Sequence, residues 1–415
     1  MTDPTGRSFL SYRRSRVNEA RLLIEAQHDV GIPTWQDLSE LDEGHTDSLL
    51  REALAADTTS NAVCWLTPDV EQSAVITRTE LPGILKRVEG NDGFFMVPVA
   101  AGGLDYKDVS RVAGTYLGVH DIGRWNVRKV VDDPIREYEA ANVARKVLKR
   151  RVEAIAKTTE AGKPLRLVLN TRKKPAFEQG VAFSLDWTHR FDGRTVNPPE
   201  AWKDYLLPAL EAVAQSCEQF APGRSVEAEG LCALPAAVAL GNTFMTTRRL
   251  SLSWRQISPK RPPELWSVSE RPEPSGFGAQ IRSGDVSGND LALLVSVASN
   301  VEAAFAATRS HLPAFRGLVL VTKAGNYPHD IENPGQAADI VRVIAEALRK
   351  ARDEFQPRGA VHLFLAVPAG LAVIIGQALN TFGPIQTYEH VGTDAVGIYQ
   401  SAALLQRTAT ATARS

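Results

Sequence analysis

The sequence predicts an α/β protein of at least two domains, each built from helices packed on a largely parallel sheet. Three observations lead there. Strand-length apolar runs alternate with helical stripes along most of the chain, the pattern that favours parallel pairing with crossover helices. The 415 residues exceed what one hydrophobic core usually serves. Within residues 165–405 a strand–Pro-Ala–helix unit recurs, Ala233–Asn242 and again from Ala366.

The first elements follow in order. Ser8–Tyr12 is a short apolar strand, and Ala20, Leu23, Ile24 and Gln27 form a helical stripe that Gly31 and Pro33 end. A polar loop, Gln36 to Gly44, precedes a second helical stripe at Leu49, Leu50, Ala53 and Leu54. Ala62–Leu66 and Phe94–Val99 are buried strands. Functional loops of such a sheet lie at the carboxyl ends of its strands. Asp133-Pro134 starts a connecting helix that carries Ile135, Tyr138, Val143 and Val147 and ends at the basic residues Lys149–Arg151. The polar stretch 158–164 is a linker before the strand Leu165–Asn170.

In the second half, strands with polar tips (Val181–Trp187, Leu291–Asn300) precede helices at Trp202–Cys217 and Gln336–Arg352. The latter shows one apolar face, with Ala337, Ile340, Val341, Ile344 and Leu348. Each Pro-Ala unit is followed by a Gly and an Asn, Gly241-Asn242 and Gly376 with Asn380. The pairing suggests two Rossmann-like halves related by a pseudo-twofold. The longest apolar run, Leu363–Gly376, is 14 residues broken by Pro368 and Gly370. A membrane helix needs about 20 residues, so this run is a strand, a turn and a helix start.

Composition excludes several functions. The first 150 residues carry 19 basic and 23 acidic side chains, and the rest carry 28 and 25. Neither part has the basic excess that grips a long nucleic acid. Cys64, Cys217 and Cys232 show no CxxC spacing, which fits a reducing cytoplasm and no zinc ribbon. The start, with its charged residues, lacks the apolar core of a signal peptide. No metal motif, Walker loop or dinucleotide fingerprint is present. The protein is therefore expected to be cytoplasmic, with no membrane partner, no metal and no cofactor.

Five segments in order, SFLSYRR (Ser8–Arg14), GIPTWQDLSELDEG (Gly31–Gly44), AVCWLTPD (Ala62–Asp69), TELPGIL (Thr79–Leu85) and FFMVPV (Phe94–Val99), resemble a bacterial Toll/interleukin-1 receptor (TIR) domain. The resemblance covers about the first third of the chain and implies a flavodoxin-like fold over residues 1–131. It implies either NAD+ cleavage or scaffolding through TIR–TIR contacts. The glutamate that carries the chemistry in NAD-cleaving members corresponds to Glu80, in the stretch Ile76–Glu80, although the Trp and Cys of the family's Trp-Cys-x-x-Glu pattern are not kept. One carboxylate is chemically sufficient, because nicotinamide leaves as a neutral base and needs no general acid. The carboxylate then holds the ribose and stabilises an oxocarbenium-like transition state. The alternative for Glu80 is a solvated residue favoured at a helix N-terminus by the macrodipole. Ser11, Tyr12, Arg13, Trp35 and Asp37 are the substrate-binding candidates, Trp35 being equally a core residue. Asp37, with Leu38 and Ser39, falls in a loop that gates the site and makes TIR–TIR contacts in the family.

LFLAVPAGLAVIIGQALNTFGPIQTYEH (Leu363–His390), with DLALLVSVASN (Asp290–Asn300) and GLVLVTKAGN (Gly317–Asn326), resembles the SAVED domain. Its most telling segment runs from the strand through Pro-Ala and the helix to Tyr388-Glu389. The resemblance implies two fused CARF-like Rossmann halves over residues 164–405 and a cyclic-oligonucleotide sensor of bacterial CBASS anti-phage defence. Residues 132–163 are then the connector and 406–415 a flexible tail. Pro235, Ala236, Pro368 and Ala369 offer helix starts whose free N–H groups favour phosphate. Asp186, Trp187, Ser299 and Asn300 are strand tips placed to read ribose or base, and Thr322 and Lys323 add a cation on a loop; each is otherwise an ordinary strand-end turn. Together the resemblances imply an effector that hydrolyses NAD+, its substrate, to nicotinamide and ADP-ribose. Its activator is a cyclic oligonucleotide, with cyclic tri-adenylate first, and it multimerises or forms filaments through both domains. Two alternatives stay open: a non-catalytic TIR scaffold assembled by cyclic nucleotide, and a TIR enzyme making a cyclic ADP-ribose signal.

Overall fold

The computed structural model describes residues 1–35, 46–117, 119, 125–245, 248–392 and 397–406, with backbone alone at 46–49 and 117. The expected loop 36–44, including Asp37, Leu38 and Ser39, and most of the expected tail lie outside the described residues. The chain divides into two compact units that interleave along the sequence. One holds Met1–Val168, Pro175–Asp186 and Gln215–Arg224; the other holds Leu169–Lys174, Trp187–Ala214 and Ser225–Ser415.

In the first unit, β1 (Arg7–Ser11), α1 (Val17–Asp29), α2 (Thr46–Ala55), β2 (Thr59–Leu66), α3 (Leu81–Glu89), β3 (Phe95–Ala100), α4 (Tyr106–Leu117) and β4 (Arg128–Lys129) alternate as expected. The four strands pair in parallel in the order β1-β2-β3-β4. Thr34 adds an isolated parallel bridge to Ser8 on the outer side of β1. Counted as a strand position, it makes the order 2-1-3-4-5, that of a doubly wound sheet whose switch point lies between β1 and β2. All eight residues of β2 are buried, which explains a continuous apolar run where a half-exposed strand would alternate. The expected stripe on α1 is core: Ala20, Leu23, Ile24 and Gln27 are all buried.

The connecting helix α5 (Glu137–Thr158) starts three residues after Pro134 and runs through Lys149–Arg151, where the sequence expectation ended it. The reason is Arg151. Its guanidinium is fully buried and donates to the carbonyls of Gly6, Thr5 and Ala182 at 2.6, 2.5 and 3.1 Å. Burial pulls its pKa down to about 10. A basic residue at the expected end of the helix thus becomes an interior fastener between the chain start and the later segment around Ala182. Two strands follow, β5 (Leu165–Asn170) and β6 (Val181–Asp186).

The second unit continues with the hairpin β7 (Phe191–Asp192) and β8 (Thr195–Val196), then the start of α6 (Leu207–Phe220), whose residues from Gln215 on belong to the first unit, and β9 (Ser225–Glu229), α7 (Leu234–Thr243), β10 (Ser251–Ser258) and β11 (Arg261–Trp266). After these come β12 (Gly278–Ser283), β13 (Asp290–Ser296), α8 (Glu302–Thr308), β14 (Phe315–Thr322) and α9 (Pro334–Phe355). β15 (Val361–Ala366), α10 (Ala369–Ala378), β16 (Ile385–Val391) and β17 (Ile398–Leu405) complete it. The six-stranded sheet runs β12-β14-β13-β15-β16-β17, parallel from β14 to β16 with antiparallel edges. The expected α9 stripe is buried at all five positions. β9, β10 and β11 are consecutive strands of another sheet, β9 and β10 parallel.

The two Pro-Ala helices pack on each other, which accounts for the glycine that follows each motif. A Cβ on Gly241 of α7 would stand 1.9 Å from the Val373 carbonyl oxygen of α10. A Cβ on Gly376 of α10 would stand 2.2 Å from the Val238 carbonyl oxygen of α7. The reciprocity makes the imperfect repeat in the sequence a pseudo-symmetric pair in space.

Candidate functional site

In the first unit, chemistry gathers at the carboxyl edge of the sheet beside the switch point. β1 ends at Ser11, and Tyr12 and Arg13 follow directly, both half-buried. β2 hands over to Thr67, Pro68 and Asp69. Glu80 closes one wide π-helical turn, Ile76–Glu80, that leads into α3. Such turns are rare and concentrate at functional sites. The side chain is 7% exposed, and the Ser11 hydroxyl donates to its Oε2 at 2.5 Å. Cys64 pairs with Ser11 across the strands. Burial, and secondarily the charge of Glu80, push the Cys64 thiol above its ordinary pKa. Glu80 is therefore a buried carboxylate turned into the sheet edge, not the solvated helix-start residue of the alternative reading.

Arg13 lies 3.3 Å from Asp69 and is 3.4 Å from Gln72. Burial raises the Asp69 pKa, but hydrogen bonds from Thr67, Ser15 and Arg13 outweigh it and bring it down to about 2. The crevice thus carries one guanidinium, one firmly ionised carboxylate and the Ser11–Glu80 pair. Trp35 is half-buried against the core, with the Arg7 guanidinium 5.7 Å from its ring centroid.

In the second unit, six candidates come together because β14, β13 and β15 are adjacent and parallel, with Val295 opposite Val321 and Ser296 opposite Ala366. Ser299 and Asn300 follow β13 and are exposed; Thr322 ends β14 and Lys323 follows it; Pro368 and Ala369 follow β15. Asn300 accepts the Glu302 N–H at 2.8 Å, and Lys323 donates to the Ser275 carbonyl at 3.1 Å. Trp187 has no exposed surface and packs edge-on to Trp202 at 6.2 Å, so it presents no ring face to a base. Asp186 is 5% exposed at the end of β6, 3.9 Å from His28.

The helix starts differ from expectation. At α7, the Glu389 carboxylate lies close to the Leu234 N–H, Pro235 has no N–H, and Ala236 and Ala237 N–H both face the Ala233 carbonyl. Pro235 and Ala236 are buried. At α10, Gly370 N–H donates to the Gln256 side chain at 3.0 Å. Donors that the sequence reading leaves free for phosphate are thus partly engaged within the fold, at α7 by the Ala233 carbonyl and at α10 by a side chain from a distant strand. Glu389 and Gln256 were outside the expected site set. The signal for Glu389 was a carboxylate inside an otherwise apolar strand, next to Tyr388.

Residues 210–405 match the family model described as "SAVED: SMODS-associated and fused to various effectors sensor domain". Among solved structures, the chain is similar to an Acinetobacter baumannii Cap4 SAVED/CARF-domain containing receptor with the cyclic trinucleotide 3'3'3'-cAAA. Identity there is 13% and the TM-score 0.48, covering 94% of this chain and 98% of that one. The same receptor with 2'3'3'-cAAA gives the same values. A Moraxella osloensis Cap4 SAVED/CARF-domain containing receptor is 11% identical with TM-score 0.43, covering 95% and 100% of the two chains. A comparison with curated proteins finds no match. The family-model match spans just under half of the chain, from α6 to the end of β17.

Proposed function

We propose that the chain is a two-part anti-phage effector of the CBASS type. The SAVED domain binds a cyclic oligonucleotide, cyclic tri-adenylate first among candidates, and the N-terminal TIR-like domain then hydrolyses NAD+. The family description supports the sensor part, naming a sensor domain fused to effectors. The observation that carries the enzymatic part is the buried Glu80 carboxylate bonded to Ser11 at the edge of a doubly wound sheet, where such folds bind nucleotides.

The chemistry this geometry suits is glycosidic cleavage. The bond between ribose C1′ and the nicotinamide nitrogen breaks, and its electron pair neutralises the departing pyridinium. Glu80 stabilises the positive charge that grows on the ribose and holds its hydroxyls. Water adds to C1′ and loses a proton, which gives ADP-ribose, nicotinamide and one proton. Ser11 fixes the Glu80 rotamer, and Arg13 beside Asp69 supplies a cation for the pyrophosphate at the switch point.

The test is incubation of the purified chain with NAD+, alone and with a panel of cyclic di-, tri- and tetranucleotides. NAD+ loss with release of nicotinamide and linear ADP-ribose, dependent on one cyclic nucleotide, is expected. A cyclised product would favour the signalling enzyme instead. No NAD+ loss under any condition would leave the scaffold reading.

A further inference from the structure

β16 presents Tyr388 and Glu389 to opposite sides, as successive strand residues must be. Tyr388 stacks on Phe364 at 4.4 Å in the core of the six-stranded sheet. Glu389 instead faces the first turn of α7, close to the Leu234 N–H. It is 5% exposed, and its Oε2 has no hydrogen-bond partner. Arg172 Nη2 stands 3.7 Å from Oε1, too far for a good hydrogen bond. Arg194, exposed on the β7–β8 hairpin, donates to the adjacent His390 carbonyl at 3.2 Å and lines the same cleft as Thr195, Pro235, Glu389 and Ser401.

Two guanidiniums and the positive end of a ten-residue helix therefore converge on one carboxylate that satisfies them poorly. A buried carboxylate with an orphaned oxygen is expensive, whereas at the start of α10 a neutral amide, that of Gln256, accepts the Gly370 N–H. The arrangement suits a tetrahedral anion better, because its oxygens reach a backbone N–H and guanidinium forks together.

We propose that the start of α7, with Arg172 and Arg194, is an anion subsite of the sensor domain, and that Glu389 is its resident occupant, displaced or neutralised when a phosphodiester of the activator enters. The inference rests on the sensor reading above. The titratable and charged groups facing Glu389 are Arg172 from the segment after β5, Arg194 from the hairpin, Cys232 ahead of α7 and Tyr399 from β17. Burial dominates over both arginines and lifts the Glu389 pKa to about 7. The occupant is thus charged at pH 8 and mostly neutral at pH 6, so binding of an anion takes up a proton near neutrality.

The experiment is calorimetric titration of the full chain with cyclic tri-adenylate at pH 6, 7 and 8, for wild type, Glu389→Gln and Arg194→Ala. Inorganic pyrophosphate is tested alongside by thermal shift. Wild-type affinity is expected to fall about tenfold between pH 6 and pH 8. Glu389→Gln should be flat with pH and about tenfold tighter than wild type at pH 8, and Arg194→Ala, altered at an exposed position, should be weaker throughout. A Glu389→Gln protein that keeps the wild-type pH dependence would overturn the subsite while leaving the sensor reading intact. If no variant binds cyclic tri-adenylate, the choice of that activator fails, and pyrophosphate decides the subsite. Greater stabilisation of Glu389→Gln and lesser stabilisation of Arg194→Ala support it, and equal shifts in all three overturn it.

Discussion

Glu80 and Glu389 are both buried carboxylates, but their surroundings assign them different work. Glu80 has a hydroxyl donor in Ser11 and sits at a sheet edge suited to substrate. Glu80→Gln keeps size and removes charge, so the loss falls on kcat, by roughly 10²–10³, with KM little changed, in line with removal of one preorganised electrostatic group. Steady-state NAD+ hydrolysis with the activator present checks it, and near-wild-type turnover would move the search to another carboxylate. Ser11→Ala should cost less, roughly tenfold, because the carboxylate remains and only its positioning hydrogen bond is lost. Glu389 has a raised pKa in the folded chain, about 7 against 4.5. The unfolded state then binds fewer protons between these values, so this residue destabilises the fold fully above pH 7, and the penalty fades as pH falls toward 4.5. Glu389→Gln should therefore raise Tm at pH 8, by the equivalent of up to about 3 kcal/mol, and change it little at pH 4.5. Thermal denaturation across that range measures the difference.

At the scale of elements, the α7–α10 crossing and the α5 fastener depend on single side chains. The helices approach so closely at Gly241 and Gly376 that a methyl group at either would enter a carbonyl oxygen of the other helix. Gly376→Ala should cost about 3 kcal/mol or more, since backbone cannot yield as a flexible side chain does. Chemical denaturation reads this directly, and a change below about 0.5 kcal/mol would show that the helices separate freely. In α5, Arg151 holds carbonyls of Thr5, Gly6 and Ala182 with no carboxylate among its hydrogen-bond partners. Arg151→Met leaves those acceptors buried and unpaired, which should lower stability by about 3 kcal/mol, measured the same way.

At the scale of the whole molecule, the resemblance to TIR domains implies that the proposed activity depends on assembly. A head-to-tail contact that does not close makes filaments. Sedimentation of the full chain should shift to large species on adding the activating cyclic nucleotide, and NAD+ hydrolysis should rise more than linearly with protein concentration. A fully active monomer with activator bound would remove assembly from the mechanism. No described helix is long and apolar enough to cross a membrane.

The sequence alone determined many of the strands and helices. The continuous apolar run Ala62–Leu66 reads as a buried strand, and the stripe from Ala337 to Leu348 as one face of a helix, as they are in the fold. The repeated Pro-Ala unit and its following glycine likewise foreshadowed the paired helices. Helix limits were less legible: Arg151 looked like the end of its helix because its charge is visible in the sequence and its carbonyl acceptors are not. The sites were decided by tertiary structure. Ser11 and Glu80 are 69 positions apart, and nothing local states that one hydroxyl will meet one carboxylate. The same holds for Gly370 and Gln256, 114 positions apart, and for Glu389 at the start of α7. Periodicity is a property of neighbouring residues and survives in the sequence. Which distant side chain fills a helix start depends on how strands are ordered and registered, and that is settled only when the sheets form.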